Sequence, residues 1–358
     1  MRELKHGGDI YSSRNIPGDK RLMDFSANIN PLGLPSGVKK AIAENPEEFG
    51  CYPDPLCRSL IHAIAKKEKV PEEYILCGNG AADLIYRLTA ALKPKSALVT
   101  APSFSEYEDA VREAGGHMNY FYLSEARDFK LDERILKDIN PGLDLMFLCN
   151  PNNPTGAPVP VDLVCRIAES CKETGTVLAV DECFVDFLEE PEKYSMVNRI
   201  GEYNHLVVIK AFTKIYAMAG IRLGYSICSN PGLNELLGRT GQPWSVSSVA
   251  QKSGIAALKE EDYLTQTKKI IKEGREYLAA RLQDIGFKVY PGKANYLLFR
   301  CPHKNLDEEL EKFGILIRSC RNYRGLEQDC YYRIAVKGQA ENEYLVNCLR
   351  ELEGHASP

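Results

Sequence analysis

Ala211-Phe-Thr-Lys214-Ile-Tyr-Ala-Met-Ala-Gly220-Ile-Arg222-Leu-Gly224 is the stretch on which the reading of this chain turns. A lysine follows the end of an apolar strand candidate at 206–209, and an arginine stands eight residues later, just before a second strand candidate at 223–228. A lysine with cationic neighbours and poor solvation has a depressed pKa and can form a Schiff base with a carbonyl. An arginine offers a planar fork suited to a phosphate. Alone, the segment also reads as a surface lysine followed by a helix-capping arginine, so neighbouring segments must decide.

Three other segments end strand candidates in the same way. Val177-Leu-Ala-Val-Asp181-Glu182-Cys-Phe184 places a carboxylate at the end of a buried-looking strand. Such an acid costs several kcal/mol unless it meets a partner, and a protonated pyridine nitrogen is one that would satisfy it. Cys149-Asn-Pro-Asn-Asn153-Pro154-Thr-Gly156 closes a strand with turn formers. Cys77-Gly78-Asn79-Gly80-Ala81-Ala82-Asp83 joins a strand to a helix through glycines whose backbone N–H groups suit a phosphate, although G-x-G-x-x-G spacing fails.

Around these segments, residues 55–228 alternate helix and short apolar strand. Leu56, Leu60 and Ile64 predict one helix face, ending in the charged cluster at 66–69. Leu84, Leu88 and Leu92 predict another, stopped by Pro94. Strands are expected at 74–77, 97–100, 120–123, 145–149 and 177–180, with a helix capped by Asp162 and closed by Gly175. The alternation predicts an α/β fold: a mostly parallel sheet sandwiched by helices, with ligands at the strands' carboxyl ends. After about residue 240 a long helix through Leu264, Ile271, Leu278 and Leu282 precedes strands at 287–290, 296–299, 315–317 and 331–336, with a helix at 306–313. The expected division is an N-terminal arm (1–45, one short helix) packing with the small domain, a large domain (46–240) and a smaller α+β C-terminal domain (241–358).

Composition narrows the classes further. At 358 residues the chain allows roughly two domains at ~150 residues each. Forty-five basic against 49 acidic residues, net −4 and without long runs, argue against a nucleic-acid partner. Its longest apolar stretch, 143–149 with Asp144 inside it, is far short of a membrane span, and MRELKHGGD lacks the apolar core of a secretory signal. The 12 cysteines are scattered without any C-x-x-C pair or zinc-type spacing. They read as reduced core thiols in a cytoplasmic protein, with no metal site expected, and only Cys183 and Cys320 stand near candidate chemistry.

Taken together, the four strand-terminal segments resemble the fold-type-I pyridoxal-phosphate enzymes, the class I/II aspartate aminotransferase superfamily, across essentially the whole chain. The resemblance implies pyridoxal 5'-phosphate bound to Lys214, with Asp181 on the pyridinium nitrogen and Asn153 on the ring hydroxyl. Arg222, Thr213 and the backbone at Gly80, Ala81 and Ala82 are implied to hold its phosphate, and Phe104 to stack on its ring. Tyr52, in Tyr-Pro-Asp-Pro, matches a tyrosine that reaches a neighbouring subunit's cofactor, implying a homodimer with shared active sites. Arg333 matches the arginine that clamps a substrate carboxylate. Two positions depart from the pattern: Ala211 replaces a usual Ser or Thr, and Phe184 replaces the Tyr of many aminotransferases.

Within the superfamily two groups are similar to this chain, the threonine-phosphate decarboxylases of cobalamin synthesis and the histidinol-phosphate aminotransferases. His6-Gly7-Gly8-Asp9-Ile10, Phe25-Ser-Ala-Asn28-Ile-Asn30-Pro-Leu-Gly33 and the region from Ile317 to Lys337 resemble the former more closely, and Phe184 points the same way. The implied reaction is decarboxylation of O-phospho-L-threonine or O-phospho-L-serine, with His6, Gly7, Asn30, Asn153, Arg318 and Arg333 gripping the substrate. Amino transfer to 2-oxoglutarate is the alternative, and a catalytically silent cofactor-binding protein a remote one.

Overall fold

The order in which strands pair explains how residues distant in sequence reach one edge of a sheet. A computed structural model of the chain describes residues 7–11, 22–328 and 330–355. It begins with β1 (Met23–Asp24), α1 (Ser36–Ala43) and α2 (Arg58–Glu68). Next come β2 (Ile75–Gly78), α3 (Ala81–Leu92), β3 (Ser96–Ala101), α4 (Glu106–Glu113), β4 (His117–Tyr122) and β5 (Leu145–Cys149). The chain continues through α5 (Val161–Thr174), β6 (Val177–Asp181), β7 (Leu206–Ala211), the single turn α6 (Phe212–Ile215) and β8 (Gly224–Ile227). These strands form one seven-stranded sheet in the order β2-β8-β7-β6-β5-β3-β4. Only β8 runs antiparallel to its neighbours, pairing Gly224 with both Gly78 and Ala211.

Both faces of the sheet are buried, as near-continuous apolar strands require. Leu145, Phe147 and Cys149 face one apolar cluster, while Met146 and Leu148 face the other. In β6, Leu178 and Val180 join the second and Ala179 the first. Period-2 geometry therefore turns Asp181, at the end of β6, toward the face that carries Tyr107 of α4 and Phe147. Every described helix is too short or too polar to cross a membrane.

The remaining chain adds α7 (Pro231–Thr240), α8 (Ser248–Ala257), the 24-residue α9 (Glu261–Asp284), β9 (Lys288–Val289) and β10 (Tyr296–Arg300). It ends with α10 (Leu306–Glu311), β11 (Ile315–Leu316), β12 (Arg318–Ser319), β13 (Tyr331–Ala335) and α11 (Gln339–His355). A second, antiparallel sheet has the order β12-β13-β10-β9. The N-terminal segment joins this side, since β1 pairs in parallel with β11. Helix α8 instead packs toward α2: a Cβ on Gly254 would lie 2.6 Å from Leu223 and 2.8 Å from Leu60.

Several expectations need correction. Leu56 is 59% exposed and precedes α2, because Asp54 accepts from the N–H groups of Leu56 and Arg58 and fixes a turn ahead of the helix. Asp162 lies in the first turn of α5 rather than at its cap, a place held by Pro160 at φ −58°. The expected strand at 315–317 is two strands, because the chain leaves its pairing with β1 at Leu316 and joins β13 at Arg318. Helices α4, α7, α8 and α11 were not foreseen; in α4 and α11 polar residues mask the apolar face.

Close backbone contact at Gly224 carries a measurable consequence. A Cβ there would lie 2.8 Å from the Ala81 nitrogen and the Gly80 carbonyl carbon, and 3.0 Å from the Lys210 oxygen. Gly224→Ala is expected to cost ~1–3 kcal/mol, seen as a lower denaturant midpoint at unchanged slope.

Candidate active site

The parallel strands end in a cavity lined by the last residues of β5 and β6, by the first turns of α3 and α6, by Phe104 and Tyr107 after β3, by Arg222 ahead of β8 and by Arg333 of β13. At one side the loop after β2 turns through Gly80 at φ +84°, and α3 begins at Ala81. The Asn79 N–H donates to Asp83 Oδ2 at 2.8 Å, folding the loop onto the first turn of the helix. Ala81 and Ala82 line the cavity, and the first N–H groups of a helix lack intrahelical acceptors. Arg222 crosses beside them: a Cβ on Gly80 would meet its Nη2 at 2.7 Å. With Thr213 on the same wall, helix terminus, guanidinium and hydroxyl converge on one place for an anion.

Across the cavity lies Asp181, only 6% exposed. Its Oδ2 accepts from the Tyr107 hydroxyl at 2.6 Å and its Oδ1 from the Cys183 N–H at 3.0 Å. Tyr107 is a site residue that sequence reasoning missed, as it missed Asn28, Cys149 and Tyr323. Its signal was the spacing of three from Phe104, which puts both rings on one side of a helical turn. The phenol is fully buried, stacked on Phe147 and edge-on to Phe104, and burial followed by the Asp181 charge holds its pKa well above the ordinary value. Tyr107 therefore stays a neutral donor to Asp181.

Lys214 follows directly from β7 and lines the same cavity. Burial first, then the positive charge of Arg333 and, more weakly, of Arg222, lowers its ammonium pKa from 10.5 to about 8. Opposite stands Arg333 of β13, whose Nη1 donates to Asn153 Oδ1 and Nη2 to the Ser26 carbonyl, both at 2.5 Å. Its Nε is buried with no hydrogen-bond partner among the described residues. Asn28 also lines the cavity, 2% exposed, and its Oδ1 is likewise unpartnered. Two unmatched polar atoms in one buried wall are costly unless a ligand engages them.

The structure thus brings together Gly7, Ala81, Ala82, Phe104, Asn153, Asp181, Thr213, Lys214, Arg222 and Arg333, with Gly80 immediately behind. It does not bring Asn30. That side chain is buried away from the cavity, its Nδ2 donating at 2.7 Å to both the Ile215 carbonyl and Thr267 Oγ1. Asn28, two residues earlier, takes the place expected of it. Arg318 lies in an adjoining cavity that shares Gly7 and Ser26 with the first. His6 falls outside the described residues. Tyr52 is 82% exposed, its ring tilted against Trp244 with centroids 4.8 Å apart, and outside the cavity. Ala211 lines a separate small cavity beside Phe212 and Tyr225, so the position that lost a hydroxyl does not face the anion cradle. Phe184 is on the wall, edge-on to Tyr296. Among the cysteines the wall holds Cys183 and, unexpectedly, Cys149, whereas Cys320 is not part of it. No group of three or more metal-ligating side chains exists among the described residues.

These residues fit pyridoxal phosphate. The cradle suits its phosphate, Asp181 a protonated ring nitrogen, Lys214 its aldehyde carbon and Phe104 a ring face.

Two experiments follow from this geometry. In cofactor-free protein, reductive methylation of Lys214 should titrate with a midpoint near 8, moving toward 10.5 in Arg333→Met. The folded chain loses this proton before the unfolded chain does, so Lys214 also makes the cofactor-free protein more stable as pH rises from about 8 toward 10.5. Lys214→Met should abolish that rise. The second experiment separates the two asparagines. Asn30→Ala should lower stability by ~1–3 kcal/mol, whereas Asn28→Ala should leave the unfolding midpoint nearly unchanged and weaken ligand binding.

Comparison with known proteins places this arrangement. A family model described as aminotransferase class I and II matches residues 20–349. The threonine-phosphate decarboxylase of Salmonella typhimurium is 38% identical over 352 residues, covering 97% of this chain and 96% of its own length. The histidinol-phosphate aminotransferase of Desulfitobacterium hafniense is 35% identical, covering 98% and 96%. In structure, the histidinol-phosphate aminotransferase from Clostridium acetobutylicum superposes with a TM-score of 0.87 at 31% identity, covering 93% of this chain and 100% of that one. The chain belongs to the class I and II aminotransferase family.

Proposed function

We propose that the chain is a pyridoxal-phosphate-dependent carboxy-lyase that decarboxylates O-phospho-L-threonine, or O-phospho-L-serine, to a phosphorylated amino alcohol in cobalamin biosynthesis. The observation that carries the reading is a pair of arginines. Arg318 and Arg333 are direct register partners on the antiparallel strands β12 and β13, so their side chains leave the same face. Like charges directly opposite one another repel unless anions intervene. A substrate with a carboxylate at one end and a phosphate at the other supplies both. The 38% identity to a threonine-phosphate decarboxylase supports the same choice.

Bound pyridoxal phosphate supplies an electron sink conjugated to the substrate's Cα. Everything else is the work of the chain. Lys214 would hold the cofactor covalently, and in the cofactor-free protein its lowered pKa leaves an appreciable share of neutral amine near pH 8 for that bond. Asp181, fixed by Tyr107 and the Cys183 N–H, keeps the proton on the ring nitrogen. Ala81, Ala82, Thr213 and Arg222 anchor the cofactor phosphate. Arg333, backed by Asn153 and joined by Gly7 and Asn28, binds the substrate carboxylate, and Arg318 binds the phosphate. His6 belongs to the same grip. Two-point binding fixes the torsion about Cα, so the Cα–carboxylate bond rather than the Cα–H bond takes the reactive orientation. Phe184, Phe104 and Tyr323 wall out water, and Lys214, which takes up the proton that the substrate's ammonium gives up, would hold it as an ammonium within reach of Cα and deliver it there.

In this reading residues 46–240 hold the cofactor while 1–45 and 241–358 grip the substrate. A homodimer completes each site, Tyr52 reaching the cofactor phosphate of the neighbouring subunit. All 12 cysteines are free, which suits a reducing, cytoplasmic setting.

Purified protein given pyridoxal phosphate and O-phospho-L-threonine alone should release carbon dioxide without consuming a keto acid. Lys214→Ala should lose both the activity and the visible colour of the loaded protein. Amino transfer from histidinol phosphate to 2-oxoglutarate without carbon dioxide release would replace this reading with the aminotransferase one.

A further inference from the structure

Between β12 and β13 the chain leaves the four-stranded sheet and lies against the seven-stranded one. Residues 320–326 carry Tyr323 in the wall of the cofactor cavity, and Asn322, whose Oδ1 accepts from Arg318 Nη2 at 2.8 Å. Tyr323 also lies under the Arg318 guanidinium, 5.4 Å from ring centroid to Cζ. The wall residue and the orientation of Arg318 thus depend on where this short loop rests.

Its side-chain fastening to α4 is Arg324. Arg324 grips Glu108 of α4 through two hydrogen bonds, Nε to Oε2 at 3.0 Å and Nη2 to Oε1 at 2.5 Å. Its guanidinium lies 4.5 Å from the ring centroid of Tyr120 on β4. The bonds from Arg324 hold the Glu108 carboxyl below its ordinary pKa, with the Tyr120 hydroxyl contributing less. Next in sequence, Gly325 at φ +82° brings the backbone against Pro102: a Cβ on it would lie 3.7 Å from the Pro102 ring. Leu326, 1% exposed, anchors the far end in a cluster with Leu123 and Tyr323. Most surface ion pairs contribute little, but a forked arginine stacked on a ring is the geometry that does contribute. Glu108 also follows Tyr107 directly, so one helix fastens the loop and holds Asp181.

We propose that Arg324 and Glu108 are positioning residues, a fastening that sets Tyr323 in the cavity wall and, through Asn322, sets Arg318 for the substrate's phosphate. The second half rests on the function proposed above; the fastening itself does not.

The test measures amide hydrogen exchange at Tyr323 and Leu326, whose N–H groups donate to the Cys320 and Tyr323 carbonyls, in cofactor-loaded, substrate-free protein. Arg324→Ala and Glu108→Ala should each speed exchange there by about five-fold. The charge-reversed pair Glu108→Arg with Arg324→Glu should return it to within about two-fold of wild type. In the same single variants the KM for O-phospho-L-threonine should rise by about five-fold with kcat within about two-fold and the visible cofactor band unchanged. Unchanged exchange in both single variants would overturn the fastening. Faster exchange with an unmoved KM would overturn its service to the substrate. If the wild type decarboxylates no phosphorylated amino acid, the functional reading falls, and the exchange rates still decide the fastening.

Discussion

The approach of Gly224 to the Gly80–Ala81 peptide, closer than any side chain would allow, is the contact on which the site is built. Because β8 alone runs against its neighbours, the chain that leaves β7 must return at the same edge of the sheet. The connection therefore carries both Lys214, just after β7, and Arg222, just before β8, over the carboxyl ends of the parallel strands. Glycine on both sides lets the first turn of α3 settle directly against that return. Helix terminus, arginine and lysine then share one cavity by topology, before any side-chain interaction is considered. A parallel β8 would place Arg222 at the opposite edge.

Charge in the cavity is lopsided, and that imbalance does chemical work. Lys214, Arg222 and Arg333 share it with Asp181 as the carboxylate on the wall. Burial and the neighbouring cations push the lysine toward its neutral form. Asp181 is meanwhile furnished with neutral donors, the Tyr107 phenol and a backbone amide, instead of a salt bridge. It is left free to meet a cationic ring. The near balance of charge over the whole chain hides this arrangement completely.

Much of this was legible in the residues. The strands at 145–149 and 177–180 were readable because a sheet buried on both faces needs continuous apolar runs, and the segments around Lys214, Asp181 and Gly80 carry side chains whose chemistry is distinctive. The failures have physical causes. Asn28 and Asn30 share a residue type and a short, irregular segment; only the fold shows that one is absorbed by Ile215 and Thr267 while the other faces the cavity. Tyr107 was hidden because an aromatic on a short polar helix reads as core. The split of 315–319 between two sheets cannot be seen in periodicity, since both pieces keep the same alternation while changing partners.

The contact between the Tyr52 and Trp244 rings has an optical consequence. Trp244 is the sole tryptophan of the chain, 46% exposed and in ring contact with the tyrosine expected to cross into a neighbouring subunit. Its emission is sensitive to the water around it and to that ring. The protein thereby carries its one tryptophan at the place where subunits are expected to meet, so the proposed dimer can be tested without a label, by exciting beyond the tyrosine band where no core tryptophan competes.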